Sequence, residues 1–106
     1  MVTIETFRQM ALSLPGTIEL PHFEKASFRV NKKIFATLAE EKNIAMLTFS
    51  LIDQSVFCAY DKTIIYPVPG GWGTKGCTYV DLKKVKRSML KDALACAYQN
   101  ILAKKR

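Results

Sequence analysis

Ser27-Phe28-Arg29-Val30-Asn31-Lys32-Lys33-Ile34-Phe35-Ala36 is the stretch that decides the fold. Phe28 and Val30 fall on one side of an extended chain and Ser27 and Arg29 on the other, the alternation a half-buried strand requires. Asn31-Lys32 then reads as a two-residue turn. A type I′ turn needs positive φ at both central positions, which Asn tolerates and Gly satisfies better than Lys. The turn is therefore expected to be slightly strained or longer than two residues. Lys33 to Ala39 and Asn43 to Phe49 continue as strands, separated by the polar Glu40-Glu41-Lys42. The result is two successive antiparallel hairpins.

Upstream, Thr3 can cap a first helix running to about Ser13, with Val2 and Phe7 placed as a hydrophobic staple. Ile4, Phe7, Ala11 and Leu14 form its apolar stripe, while Glu5, Arg8 and Gln9 face water. Pro15-Gly16 stops it. Downstream, Ser50 or Asp53 can cap a short helix to about Tyr60, with Val56, Phe57 and Tyr60 as its apolar face. Ile64-Ile65-Tyr66 and Cys77 to Val80 read as short strands. Between them, Pro67 to Gly76 holds two prolines and four glycines and is expected to be a loop. A long last helix carries Val85, Met89, Leu90, Ala93, Leu94, Ala97, Tyr98, Ile101 and Leu102 toward the sheet, with Lys83, Lys84, Arg87 and Lys91 at its start and on its exposed side. The order α-β-β-β-α-β-β-α implies an α+β fold, one antiparallel sheet with helices packed against it.

With 106 residues and 49% apolar content, the chain fits a single domain, 1–106, around one core. Its longest apolar runs, such as Ile44 to Phe49, are far shorter than the roughly 20 residues that cross a bilayer. The start Met1-Val2-Thr3-Ile4-Glu5 is unlike a secretion signal. The expectation is a cytoplasmic monomer with no membrane partner. Cys58, Cys77 and Cys96 show no Cys-x-x-Cys spacing and have only His22 beside them, so neither a disulfide framework nor a zinc site is indicated; Cys77 near Lys75 is the sole candidate for a reactive thiol. The net charge is +7. Residues 1–82 hold eight Lys/Arg and eight Asp/Glu, whereas 83–106 hold eight Lys/Arg against Asp92. The excess is thus assigned to the last helix and the tail Lys104-Lys105-Arg106, and such asymmetry attracts nucleic acid or anionic surfaces.

Two blocks carry a family resemblance. Pro21-His22-Phe23-Glu24-Lys25-Ala26-Ser27-Phe28-Arg29-Val30-Asn31-Lys32-Lys33-Ile34-Phe35-Ala36 and Pro67-Val68-Pro69-Gly70-Gly71-Trp72-Gly73-Thr74-Lys75-Gly76-Cys77-Thr78 resemble the signature blocks of the MmcQ/YjbR family of small bacterial proteins. Leu14-Pro15-Gly16-Thr17 and Ala97-Tyr98 extend the likeness over nearly the whole chain. Lys32 departs from it where members often have Gly, and Cys77 where an aromatic is common. The resemblance implies the same topology, similar to frataxin-like and secretion-chaperone-like domains, and a DNA-binding "double wing" of paired hairpins, a label drawn from shape.

The residues expected to contact nucleic acid through its phosphates are Lys25, Arg29, Lys32 and Lys33 around the first hairpin, Lys75, and Lys83, Lys84 and Arg87. Glu40 and Glu41 at the second tip repel phosphate unless they point away. The competing reading makes the first cluster a solvated strand edge, where lysines discourage edge pairing. A second possibility is a small-anion or protein-interaction loop in which Trp72, Gly73 and Lys75 are the contacts. Against it, the glycines serve close packing and Trp72 becomes a lid on the core, the outcome this sequence favours. Phe23, Phe28, Phe35, Phe49, Phe57, Tyr66 and Tyr79 are expected to build that core. His22 has no partner at catalytic spacing, and the first helix offers only Glu5 as a carboxylate, so no enzyme, cofactor or metal is expected.

Overall fold

The first helix begins where its cap says it should. In the computed structural model, which describes residues 1–103, Thr3 Oγ1 accepts the Thr6 amide at 3.1 Å, and Val2 and Phe7 are both buried as the staple requires. Helix α1 spans Ile4–Leu12. Six strands follow in one antiparallel sheet: β1 Ile18–His22, β2 Lys25–Val30, β3 Lys33–Ala39, β4 Ile44–Thr48, β5 Ile65–Pro67 and β6 Cys77–Asp81, in the spatial order β1-β2-β3-β4-β6-β5. Helix α2 (Leu51–Tyr60) links β4 to β5, the single turn α3 (Gly71–Thr74) links β5 to β6, and α4 (Arg87–Ala103) closes the fold. The architecture is α+β, as the sequence predicts.

Registers sort the side chains. Phe28, Ala36, Leu47 and Thr78 pair across neighbouring strands and so share one face, and Ala26, Leu38, Ala45, Val80 and Ile65 form the next row of the same face. The helices pack there. Phe7 of α1 meets Phe28 edge-on at 5.6 Å, Tyr98 of α4 meets Phe35 at 5.7 Å, and Gln54 of α2 donates to Thr78 Oγ1 at 3.1 Å. The opposite face holds the row Leu20, Ser27, Thr37, Met46, Tyr79 and Tyr66. A register shift at Phe28/Arg29 lets Phe35 and Ala36 both bury.

Several details differ from the sequence reading. β1 is an extra edge strand; its Pro21 is tolerated because an edge strand needs no second ladder bond. Glu40–Lys42 is a turn of 3₁₀ helix rather than a plain tip, ended by Asn43 at φ 54°. The segment 67–76 is not wholly irregular, since Gly71–Thr74 forms a helical turn. The last helix starts at Arg87, so Val85 is buried from the preceding turn, which also holds Lys83, Lys84 and Lys86. In α2, Cys58 and Phe57 face inward while Val56 and Tyr60 are exposed. Phe23 is 93% exposed at a hairpin tip, and Tyr66 and Tyr79 are only half-buried on the open face, so none of these three belongs to the core. Arg8 does not simply face water. It bridges Glu19 at 3.0 Å and Glu40 at 2.8 Å, tying α1 to β1 and the 3₁₀ turn.

Candidate nucleic-acid interface

The predicted basic residues do not form one patch; the sheet divides them between its two ends. One end holds the Asn31-Lys32 turn, the close of β4, the start of β6, α3 and the start of α2. The other holds the Phe23 tip, the 3₁₀ turn, the close of β6 and the start of α4. Lys32, Lys33 and Lys75 belong to the Asn31 end. Lys25, Lys83, Lys84 and Arg87 belong to the Phe23 end. Arg29 lies on the open face between them, its Nε donating to Ser27 Oγ at 3.0 Å.

The ends differ in charge balance. At the Phe23 end the cations are interleaved with Glu24, Glu40, Glu41, Asp61 and Asp81. Asp61 is held below the usual carboxylate range by hydrogen bonds from Thr63, with Lys84 contributing. A cleft of about 800 Å³ opens there, but its floor mixes Lys25 and Lys42 with Glu24 and Glu41. Its Arg8 is already held by two carboxylates, whose hydrogen bonds, Glu40 first and then Glu19, raise the guanidinium pKa. Glu40 thus points toward Arg8, the arrangement that spares phosphate its repulsion, yet Glu41 is exposed beside it. At the Asn31 end the carboxylate in the adjoining segments is Asp53, half-buried in the first turn of α2.

Local geometry fixes the Asn31 end. Asn31 and Lys32 have φ of 53° and 67°, and Val30 pairs with Lys33 directly beyond them, so the turn is two residues long and Lys32 holds a left-handed conformation that disfavours side chains. Continuing the β3–β4 and β4–β6 registers places Lys33, Ser50 and Lys75 at one level. Crossing two strand spacings puts the lysine-bearing segments about 10 Å apart.

Trp72 is the residue sequence reasoning placed wrongly. It is 67% exposed, with Lys75 Nζ over its ring at 5.5 Å, and so is not a core lid. The glycines explain why. A Cβ on Gly73 would stand 1.9 Å from the Val68 carbonyl oxygen, and one on Gly76 would stand 2.0 Å from that of Phe49. The backbone itself therefore fills the space beneath the loop, which leaves the indole outside. Gln54 Nε2 secures the turn through the Gly73 carbonyl at 2.9 Å and that of Cys77 at 3.2 Å. Gly73 is thus required for packing, and the Lys75 and Gly76 amides are spent on Trp72 and Gly73 carbonyls instead of converging on an anion.

Among the described residues no group of three or more His, Cys, Asp or Glu is placed to hold a metal, and no helix is long and apolar enough to cross a membrane. None of the three cysteines is joined in a disulfide, and burial pushes the Cys58 and Cys96 thiols up. The tail Lys104-Lys105-Arg106 lies outside the described residues.

No family model and no curated protein matches the sequence. Among solved structures, the chain is similar to the crystal structure of Deinococcus radiodurans protein DR2400, with a TM-score of 0.83 and 20% identity over 99% of this chain and 81% of that one. DR2400 carries a DUF419 domain, the YjbR/MmcQ-like type. The likeness establishes a shared fold.

Proposed function

We propose that this protein is a cytoplasmic, non-enzymatic nucleic-acid-binding member of the MmcQ/YjbR family, and that it engages a single strand, DNA first among candidates, at the Asn31 end of its sheet. Lys32, Lys33 and Lys75 contact phosphates, and Trp72 stacks on an unpaired base. The observation that carries this reading is an exposed indole with a lysine over it, on a turn secured by Gln54 at the same end of the sheet as Lys32 and Lys33. A base stacked on an aromatic side chain contributes about 1–3 kcal/mol whatever its identity. Phosphate contacts add a salt-dependent term without sequence preference. The stacking term favours a single strand over a duplex, whose bases are already stacked on one another. The family assignment is supported by the two sequence blocks together with the DUF419-like fold.

Trp72 is the only tryptophan, so its emission reports the site directly. Titration with a single-stranded DNA oligonucleotide is expected to quench it saturably, and the matching duplex to bind more weakly. Unchanged emission at saturating oligonucleotide, with binding absent by anisotropy, would defeat the proposal.

A further inference from the structure

We propose that the outer face of α2 is a self-association surface, on which two copies of this chain pair through antiparallel α2 helices. Ile52, Val56 and Tyr60 recur at four-residue steps and are 77%, 64% and 51% exposed, and Leu51 beside them is 57% exposed. Scattered apolar residues are ordinary on a surface, but a continuous helical stripe marks an interaction site. The small exposed residues Ser55 and Ala59 flank the stripe and let another helix approach closely.

The occupant follows from symmetry and charge. A two-fold axis through Val56 sets Val56 against Val56 of the second copy and Ile52 against its Tyr60, so the stripe is complementary to itself, as an isologous contact demands. The same axis brings Asp53, in the first turn of α2, toward the other helix's C-terminal end, where Lys62 and Lys84 outnumber the capping Asp61. Antiparallel helices also align their dipoles favourably. No Lys or Arg lies within α2, so two copies of a chain of charge +7 can approach there without setting cations of the helix against each other. Because α2 runs from the Asn31 end toward the Phe23 end, the antiparallel pair keeps the two Lys32–Lys33–Lys75 groups at opposite poles. One ten-residue helix on another covers less than the roughly 800 Å² per partner of a standard interface, so the pair is weak and concentration dependent.

Sedimentation equilibrium on the full chain tests this. The average mass is expected to rise from 12.0 kDa toward twice that value between about 10 μM and 1 mM. Val56→Glu is expected to hold the mass at one chain with an unchanged circular dichroism spectrum. Mild oxidation supplies the geometry. Val56→Cys is expected to give a disulfide-linked pair, Ile52→Cys alone not, and an equimolar mixture of Ile52→Cys with Tyr60→Cys to cross-link again. A mass fixed at one chain throughout overturns the proposal, as does self-association unaffected by Val56→Glu. Binding of the stripe to anionic phosphatidylserine vesicles by a protein that stays monomeric in solution would assign it to a membrane surface instead.

Discussion

Lys32 illustrates how one residue can serve two demands that conflict. Its φ of 67° suits Gly, and a side chain there costs on the order of 1 kcal/mol. Lys32→Gly is therefore expected to raise stability by about that amount in urea unfolding while weakening oligonucleotide binding, the two readouts moving in opposite directions. Trp72 makes the contrasting case. Exposed as it is, Trp72→Ala is expected to cost less than about 1 kcal/mol, whereas Gly73→Ala and Gly76→Ala, each forced against a carbonyl, are expected to cost several or to prevent folding. Gly71→Ala, with open space around it, is the neutral control. The Cys58 and Cys96 thiols, the first buried and the second half-buried, give a pH signature. Their folded pKa values lie above the ordinary thiol value of about 8.5, so the protonated form is favoured in the fold and stability falls as pH rises through the alkaline range. Cys58→Ala is expected to flatten that alkaline decline in thermal unfolding.

At the scale of elements, Gln54 and Arg8 join pieces that propensity alone would leave independent. Gln54 bonds α2 to α3 and β6, so Gln54→Leu is expected to destabilise by about 1–3 kcal/mol and to lower the fluorescence anisotropy of Trp72 as its turn loosens. What the sequence revealed at this scale follows its local rules. The Thr3 cap, the cap of α2 at one of two expected residues (Ser50, whose Oγ accepts the Asp53 amide at 3.1 Å), the Val2–Phe7 staple and the hairpin at Asn31-Lys32 were legible because each depends on neighbours within a few residues. β1 was not, because Pro21 and mixed polarity disguise an edge strand whose existence depends on β2. The exposed stripe of α2 escaped for a related reason: Val56 and Tyr60 have core chemistry, and only the orientation set by Cys58 and Gln54 turns them outward. Trp72 failed likewise, since an indole beside glycines looks buried until the glycines prove to fill the space themselves.

At the scale of the whole molecule, a net charge of +7 says little until the sheet distributes it. The sequence separates a first-hairpin cluster from the start of the last helix, yet the sheet moves Lys25 to the Phe23 end, where the cations are interleaved with five carboxylates, and sets Lys75 beside Lys32 and Lys33 at the Asn31 end, which adjoins chiefly Asp53. Strand order and register make that distinction, which no linear charge count contains. The most direct test is therefore the salt dependence of single-strand binding in two triple variants. Replacing Lys32, Lys33 and Lys75 by Ala is expected to reduce the slope of log K against log salt by about 2, at about 0.7 per phosphate contact for a single strand. Replacing Lys83, Lys84 and Arg87 by Ala is expected to leave the slope nearly unchanged. Equal loss of slope in both variants, or loss only in the second, would contradict a binding surface at the Asn31 end.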